Sequence, residues 1–166
     1  EEFLTGFEVS VLAFCDGATV VPMASSQDHK RAHDGDTGLN TGGMGTFSPQ
    51  TKYTPDMAER AMKTVFLPTV RALEKEGRPF KGVLYFGLMI TSAGDIKVLE
   101  YNARFGDPET QVILPRLKTD LFDVFNACID GTLNKTALKW DERAAVCVVA
   151  ASGGYPLKYE KGKKIT

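Results

Sequence analysis

Apolar and polar residues alternate loosely from Glu8 to Phe14, Asp16-Gly17 offers a turn, and Thr19 to Met23 is apolar again. That pattern predicts a β-hairpin. Gly82 to Thr91 is a nearly continuous apolar run, Ser92 to Asp95 a turn, and Ile96 to Asn102 an alternating strand, which predicts a second hairpin. Between the hairpins, Ala58, Ala61, Met62, Val65, Phe66, Val70 and Leu73 recur at helical spacing. Thr54-Pro55-Asp56 supplies this helix with a cap, a first-turn proline and an acid, and Gly77 with Pro79 marks its end. Pro68 should kink the helix or split it in two. Asp107-Pro108-Glu109 opens another helix that runs to about Leu117, and a further one covers about Leu121 to Ile129 with Gly131 just beyond. Arg143 to Ala151 reads as a buried strand, followed by the breaker Ser152-Gly153-Gly154-Tyr155-Pro156. The change of pattern after Trp140 makes a candidate domain boundary. From Ser25 to Tyr53 no period is sustained, and the chain reads as a long Gly-rich loop of the functional or disordered kind.

Composition narrows the classes. The 166 residues are 43% hydrophobic, enough for one ordinary domain or one domain with part of another. Twenty Lys and Arg against 21 Asp and Glu leave a formal charge of −1, so no global field points to nucleic acid or to an anionic membrane. Cys15, Cys128 and Cys147 show no metal-ligand spacing and sit among apolar neighbours, as buried reduced thiols would. No apolar stretch approaches the ~18 residues of a membrane span. The expectation is a cytoplasmic protein. The chain opens at Glu1-Glu2-Phe3-Leu4 without Met and closes at Lys164-Ile165-Thr166 without a polar tail, and so reads as cut at both ends.

Three segments carry chemistry. Alternate side chains of a strand share a face about 6.6–6.8 Å apart, so Glu100 and Asn102, and Arg104 where the strand extends that far, project together as carboxylate, amide and guanidinium. Two oxygen donors of that kind suit Mg²⁺ completed by water and phosphate oxygens, and Arg104 adds a fork for a carboxylate or phosphoryl group. An exposed polar edge strand would show the same spacing. Asn40-Thr41-Gly42-Gly43-Met44-Gly45 can form a nest of backbone N–H groups for an anion, or a flexible turn; it is not a Walker A loop. In Gln27-Asp28-His29-Lys30-Arg31, either cation could face phosphate, although a solvated turn suits Arg31 better.

Taken together, Glu1 to Leu4, Gln27 to Arg31, Asn40 to Gly45, and Glu100-Tyr101-Asn102-Ala103-Arg104-Phe105-Gly106-Asp107-Pro108-Glu109 resemble the phosphoribosylamine–glycine ligase family of ATP-grasp enzymes, in order and at matching separations. The resemblance implies an α+β fold: the larger ATP-grasp subdomain, mainly antiparallel sheet flanked by helices, over residues 1–139, and the start of a C-terminal domain over 140–166. It implies ATP and Mg²⁺ or Mn²⁺ as cofactors, glycine and 5-phosphoribosylamine as substrates, and no nucleic-acid or membrane partner. Residue by residue, Glu1, Glu2, Phe3 and Leu4 resemble the hinge that reads adenine, and Glu8 the acid that meets the ribose. Glu100 and Asn102 resemble the metal ligands. Lys30 and Gln27 resemble groups near the γ-phosphate, and Arg104 the cation of the reacting centre. Asn40, Thr41, Gly42, Gly43, Met44 and Gly45, with Gly106, Asp107, Pro108 and Glu109, resemble the pocket for the nucleotide and the two substrates. Capping of their own helix is an equal claim on Asp107 and Glu109.

Departures from the family pattern are Gly87 near the place where many ATP-grasp enzymes put a further acidic ligand, Leu39 for proline, and Phe7 for an acid. The implied N-terminal domain and lid would precede Glu1, so the chain alone is expected to be inactive and to depend on the missing domains of its parent. Another ATP-grasp ligase and a non-catalytic nucleotide-binding module stand as alternatives.

Overall fold

The structure, a computed structural model, describes residues 2–164. Both predicted hairpins form. Strand β1 (Gly6–Asp16) turns at Gly17 into β2 (Val20–Pro22). The short elements β3 (Gln27–Asp28), β4 (Arg31–His33), β5 (Thr37–Asn40) and β6 (Gly45–Ser48) follow. Four strands therefore lie within what the sequence presents as a loop. They are two to four residues long, too short to leave an alternation in the pattern.

Helix α1 (Pro55–Ala61) starts where expected, with Thr54 Oγ1 accepting the Met57 N–H. A π-helical turn, Met62–Phe66, separates it from α2 (Leu67–Lys75), and Pro68 falls in the first turn of α2, where its missing N–H costs no helical bond. Proline thus splits the helix without ending it. Strands β7 (Lys81–Thr91) and β8 (Ile96–Asn102) make the second hairpin. Helix α3 spans only Thr110–Ile113 before tightening into a 3₁₀ turn at Leu114–Arg116, because Pro115 cannot donate to the ladder. Neither Asp107 nor Glu109 caps it by a side-chain hydrogen bond. Helix α4 (Leu121–Asp130) is capped by Asp120 and stopped by Gly131 at φ 70°.

The expected strand after Trp140 is the four-residue β9 (Ala145–Val148), and it is not buried: Val146 and Val148 are 73% and 82% exposed. Its partner is β6, with Thr46 opposite Cys147.

The main sheet has the order β2-β1-β7-β8 and is antiparallel throughout. Strands β1 and β7 pair over their full eleven residues, Gly6 with Thr91 through Asp16 with Lys81. One face, with Val9, Val11, Ala13, Phe86, Leu88 and Ile90, packs on Ala61, Val65, Phe66 and Val70 of the first helical layer. The other face carries Leu12, Phe14, Val83 and Tyr85 under α3 and α4. That second core covers only half of its face, and the polar remainder is where the candidate site lies. Cys15 and Cys128 are buried and Cys147 half-buried, all as free thiols. Among the described residues, no helix is long and apolar enough to cross a membrane.

Candidate functional site

The site floor is set by strand register. Cross-strand partners share a face, so Glu8 and Ser10 of β1, Met89, Gly87 and Tyr85 of β7, and Lys97, Glu100 and Asn102 of β8 all project the same way. This arrangement depends on a bulge. Val98 pairs with Leu88 and Glu100 with Gly87, so Leu99 is the extra residue. A regular ladder would have placed Glu100 opposite Phe86, aimed into the helix-packed core; the inserted residue turns Glu100 and Asn102 onto the polar face.

Glu100 and Asn102 touch, Nδ2 of the amide lying 3.3 Å from Glu100 Oε1. Gly87 makes room for them, since a Cβ there would stand 3.0 Å from Glu100 Cγ. The donor set suits a hard divalent cation that draws most of its shell from phosphate and water. Among the described residues, no group of three His, Cys, Asp or Glu side chains forms a cage that would hold a metal by itself.

Opposite this pair, a cavity of about 440 Å³ is lined by Glu8, Gln27, Asp28, Lys30 and Asn40. A second cavity of about 70 Å³ has Glu8 and Lys30 on one side and Gly87 and Glu100 on the other. Lys30 therefore borders both the open cavity and the Glu100 side of the candidate metal pair. The Gln27 side chain is tied to that of Gln50, which fixes it at the rim. A groove of about 730 Å³ forms an apolar channel between α2 and β8 on the far side of the sheet, and Asn102 and Ala103 are the residues of its lining that lie next to the site.

The loop Asn40 to Gly45 is folded onto β3. Thr41 N–H and Oγ1 both donate to the Lys30 carbonyl at 2.7 and 2.8 Å, Met44 N–H donates to His29 O at 2.8 Å, and Gly43 N–H donates to Thr41 Oγ1 at 3.0 Å. The Gly42 N–H donates to the Tyr155 hydroxyl at 3.0 Å. These donors are consumed within the protein, so the loop is not the open anion nest its glycines suggest. Its glycines serve close approach instead: Gly43, at φ +121°, lies against Pro108.

Arg104 is exposed, donates to the Phe105 carbonyl at 2.9 Å, and stands 6.0 Å over the Tyr85 ring. Asp107 is exposed and accepts from Gln111 Nε2 at 2.7 Å. Gly106 and Pro108 are buried. Glu109 is 3% exposed, and its Oε1 accepts from Ser10 Oγ at 3.0 Å and Tyr85 Oη at 2.9 Å. Burial and the neighbouring Glu109 carboxylate push the Tyr85 phenol above its ordinary range, which keeps it a donor. Asp28 is 9% exposed, and its Oδ1 has no hydrogen-bond partner. Burial, then the negative charges of Glu109 and Glu8 against the opposing charge of Lys30, push its carboxyl up to about 6.

Of the hinge residues, Glu2 bridges to Lys97 at 3.0 Å, Phe3 is 92% exposed and Leu4 half-buried; Glu1 lies outside the described residues. Sequence reasoning did not single out Ser10, Tyr85 or Asp28. Ser10 and Tyr85 were hidden in apolar runs, where a hydroxyl on the alternating face was the only signal.

A four-stranded antiparallel sheet packed by helices on both faces, with a carboxylate–amide pair on its outer strand, is the arrangement of an ATP-grasp domain. The biotin carboxylase domain of a thermophilic 2-oxoglutarate carboxylase shares this fold at 12% identity, with a TM-score of 0.60 over 88% of this chain and 31% of that one. Residues 1–110 match the family described as phosphoribosylglycinamide synthetase, ATP-grasp (A) domain, and the chain belongs to that family. It is 54% identical to a phosphoribosylamine–glycine ligase from Synechocystis over 99% of this chain and 40% of the relative. It superimposes on a phosphoribosylamine–glycine ligase from Thermotoga maritima with a TM-score of 0.86 at 40% identity, covering all of this chain and 41% of that one. The chain thus spans about 40% of the length of the relatives it matches.

Proposed function

We propose that this chain supplies the metal- and nucleotide-facing floor of a ligase that joins glycine to 5-phosphoribosylamine, using ATP and Mg²⁺ or Mn²⁺ and passing through glycyl phosphate. The products are glycinamide ribonucleotide, ADP and phosphate. The reaction brings a carboxylate up to a triphosphate, so it needs positive charge and oriented donors where negative charge accumulates. Glu100 and Asn102 hold the divalent cation, which neutralises phosphoryl oxygens when bound. Lys30 faces the same phosphates from the link between β3 and β4, and Gln27, Asn40 and Glu8 line the nucleotide cavity. Glu1 to Leu4 read the adenine. Arg104 stabilises the charge of the acyl phosphate. Thr41 to Gly45 and Gly106 to Glu109 enclose the glycine and the amine, with Asp107 free to meet a cationic or hydroxyl group. The single observation that carries this reading is the bulge at Leu99, which turns Glu100 and Asn102 onto the polar face and sets Glu100 across the Gly87 gap from Lys30.

In this reading, residues 1–139 form the ATP-grasp part and residues 140–166 begin the following domain, whose first strand takes β6 as its partner. The same reading places the protein in the cytoplasm with soluble substrates. Productive geometry needs every partner in place, so the 166 residues alone are expected to give no measurable turnover.

The test is a hybrid in which these residues replace the matching segment of the Synechocystis relative. ADP release that requires both glycine and freshly prepared 5-phosphoribosylamine, and is lost in Glu100→Gln, is the expected result. Release that ignores either substrate points to a different ATP-grasp ligase. Nucleotide binding without release points to a non-catalytic module.

A further inference from the structure

Tyr85 occupies a position that no part of the reaction scheme above uses, yet it meets three other residues of the site. Its register partner on β8 is Asn102. Its ring lies under the Arg104 guanidinium at 6.0 Å, and its hydroxyl donates to Glu109 Oε1 at 2.9 Å, with Ser10 Oγ 2.9 Å from the same hydroxyl. The side chain is 4% exposed, held on one side by the core that α3 and α4 make with the sheet. A rigid aromatic ring with one polar tip can therefore fix two neighbours at once, the cation over its face and the carboxylate at its edge.

We infer that Tyr85 is a positioning residue of this site, setting the Arg104 guanidinium through its ring and the Gly106–Glu109 turn through its hydroxyl. The second half of the inference follows from how Glu109 is packed. The Glu109 carboxylate fills the space where Gly106 would carry a side chain, and Pro108 next to it fills the space beside Gly43. Ser10 and Tyr85 thus anchor Glu109 to the sheet, Glu109 anchors Gly106 and Pro108, and Pro108 backs the Gly43 loop. Glu109 is buried and occupied by two hydroxyls, so it acts on a ligand through the shape of this turn. Arg104 has no carboxylate partner among the described residues; its guanidinium is held by the hydrogen bond to the neighbouring Phe105 carbonyl and by the Tyr85 face beneath it.

The two arms separate by substitution. Tyr85→Phe keeps the ring and deletes the hydroxyl; Tyr85→Leu deletes both. In the 166-residue chain, isotope-edited NMR should show the Glu109 side-chain carboxyl resonance moving in Tyr85→Phe while the Arg104 side-chain resonances stay, and both moving in Tyr85→Leu as the ring current is lost. In the hybrid enzyme, an arm that rests on the ligase reading, Tyr85→Phe should raise KM for glycine or 5-phosphoribosylamine about tenfold with kcat little changed, the size of one displaced hydrogen bond. Tyr85→Leu should lower kcat by about tenfold or more as well, because a charge-stabilising group is then unrestrained. Ser10→Ala should move the Glu109 resonance less than Tyr85→Phe does.

A Tyr85→Phe chain with an unmoved Glu109 resonance overturns the inference, and so does a Tyr85→Leu chain with unmoved Arg104. Should Tyr85→Leu not fold, the Tyr85→Phe arm decides alone. A hybrid that never turns over with Tyr85 intact counts against the ligase reading; the positioning role then stands or falls on the two resonances.

Discussion

Gly43 and Pro108 are packed so closely that a methyl group on Gly43 would stand 2.5 Å from Pro108 Cδ and 2.9 Å from Asp28 Oδ1. These residues come from segments 65 positions apart, one leading into β6 and one preceding α3, and their contact joins the two loops over the site. Gly43→Ala should be penalised twice, by the overlap and by φ +121°, which side chains rarely adopt. A loss of about 1–3 kcal/mol is expected, read as a lowered urea midpoint with unchanged slope. An alanine variant as stable as the parent would show that the two loops move apart at no cost.

Asp28 makes the stability of the chain depend on pH in an unusual direction. Its carboxyl is raised from 3.8 to about 6, so the folded state holds a proton that the unfolded state has released. Stability from this group is present in full below about pH 4 and falls as pH rises to about 6, then levels off. At about 1.4 kcal/mol per pH unit the change is on the order of 3 kcal/mol. Denaturation at a series of pH values should show this fall in the parent chain and a flatter curve in Asp28→Asn, whose amide carries no charge to bury.

Arg116 is 7% exposed and meets no carboxylate; its three donor nitrogens reach Ser48 Oγ at 2.7 Å, Arg143 O at 2.9 Å and Asp141 O at 3.0 Å. It pins the segment before β9 to the end of β6. Arg116→Met keeps the stem and strips the donors, removing three hydrogen bonds at about 0.5–1.5 kcal/mol each. The expected signature is local: faster hydrogen exchange in Ala145–Val148 before any change in β1 or β7. Uniform acceleration would mean that β9 is not a separable unit.

The thiols should divide by reactivity. Burial, then the neighbouring Cys128 and Asp16, push Cys15 up to about 12, and burial raises Cys128 as well. Only the thiolate reacts. Alkylation at pH 8 in native conditions should therefore label half-buried Cys147 first and leave Cys15 untouched until unfolding. Early labelling of Cys15 would contradict the packing of β1.

Both hairpins and the caps at Thr54 and Gly131 were legible because each is a local signal: alternation with a turn, or a hydroxyl and a glycine at helix ends. The same holds for Glu100 and Asn102 as a pair. What made them face the site was not legible, since a bulge at Leu99 is decided by β7, and a strand with no bulge would have read identically. The sequence around Asn40 to Gly45 suggested an anion nest because glycines permit one; the N–H groups were claimed by Lys30, Thr41, His29 and Tyr155, and three of those partners lie outside the loop. The helix after Glu109 tightens into a 3₁₀ turn sooner than its apolar spacing suggests, because Pro115 has no N–H to give the ladder. Ser10, Tyr85 and Glu109 come from three distant parts of the chain, and it is their mutual hydrogen bonds in the folded chain that show they meet.

The eleven-residue pairing of β1 with β7 gives the molecule an uneven compliance. One end of each strand is clamped between two apolar layers, and the other end, without interruption, carries half-buried Glu8 and buried Ser10 and Gly87 on the polar face. Opening the floor of the site would require tearing the same ladder that both cores are built on, so its free energy approaches that of unfolding the whole chain. Adjustment to an incoming ligand is left to the material above the floor, the segments around Gly43 and Asp107, and the rates of binding should follow the yielding of those loops while the floor keeps a single shape.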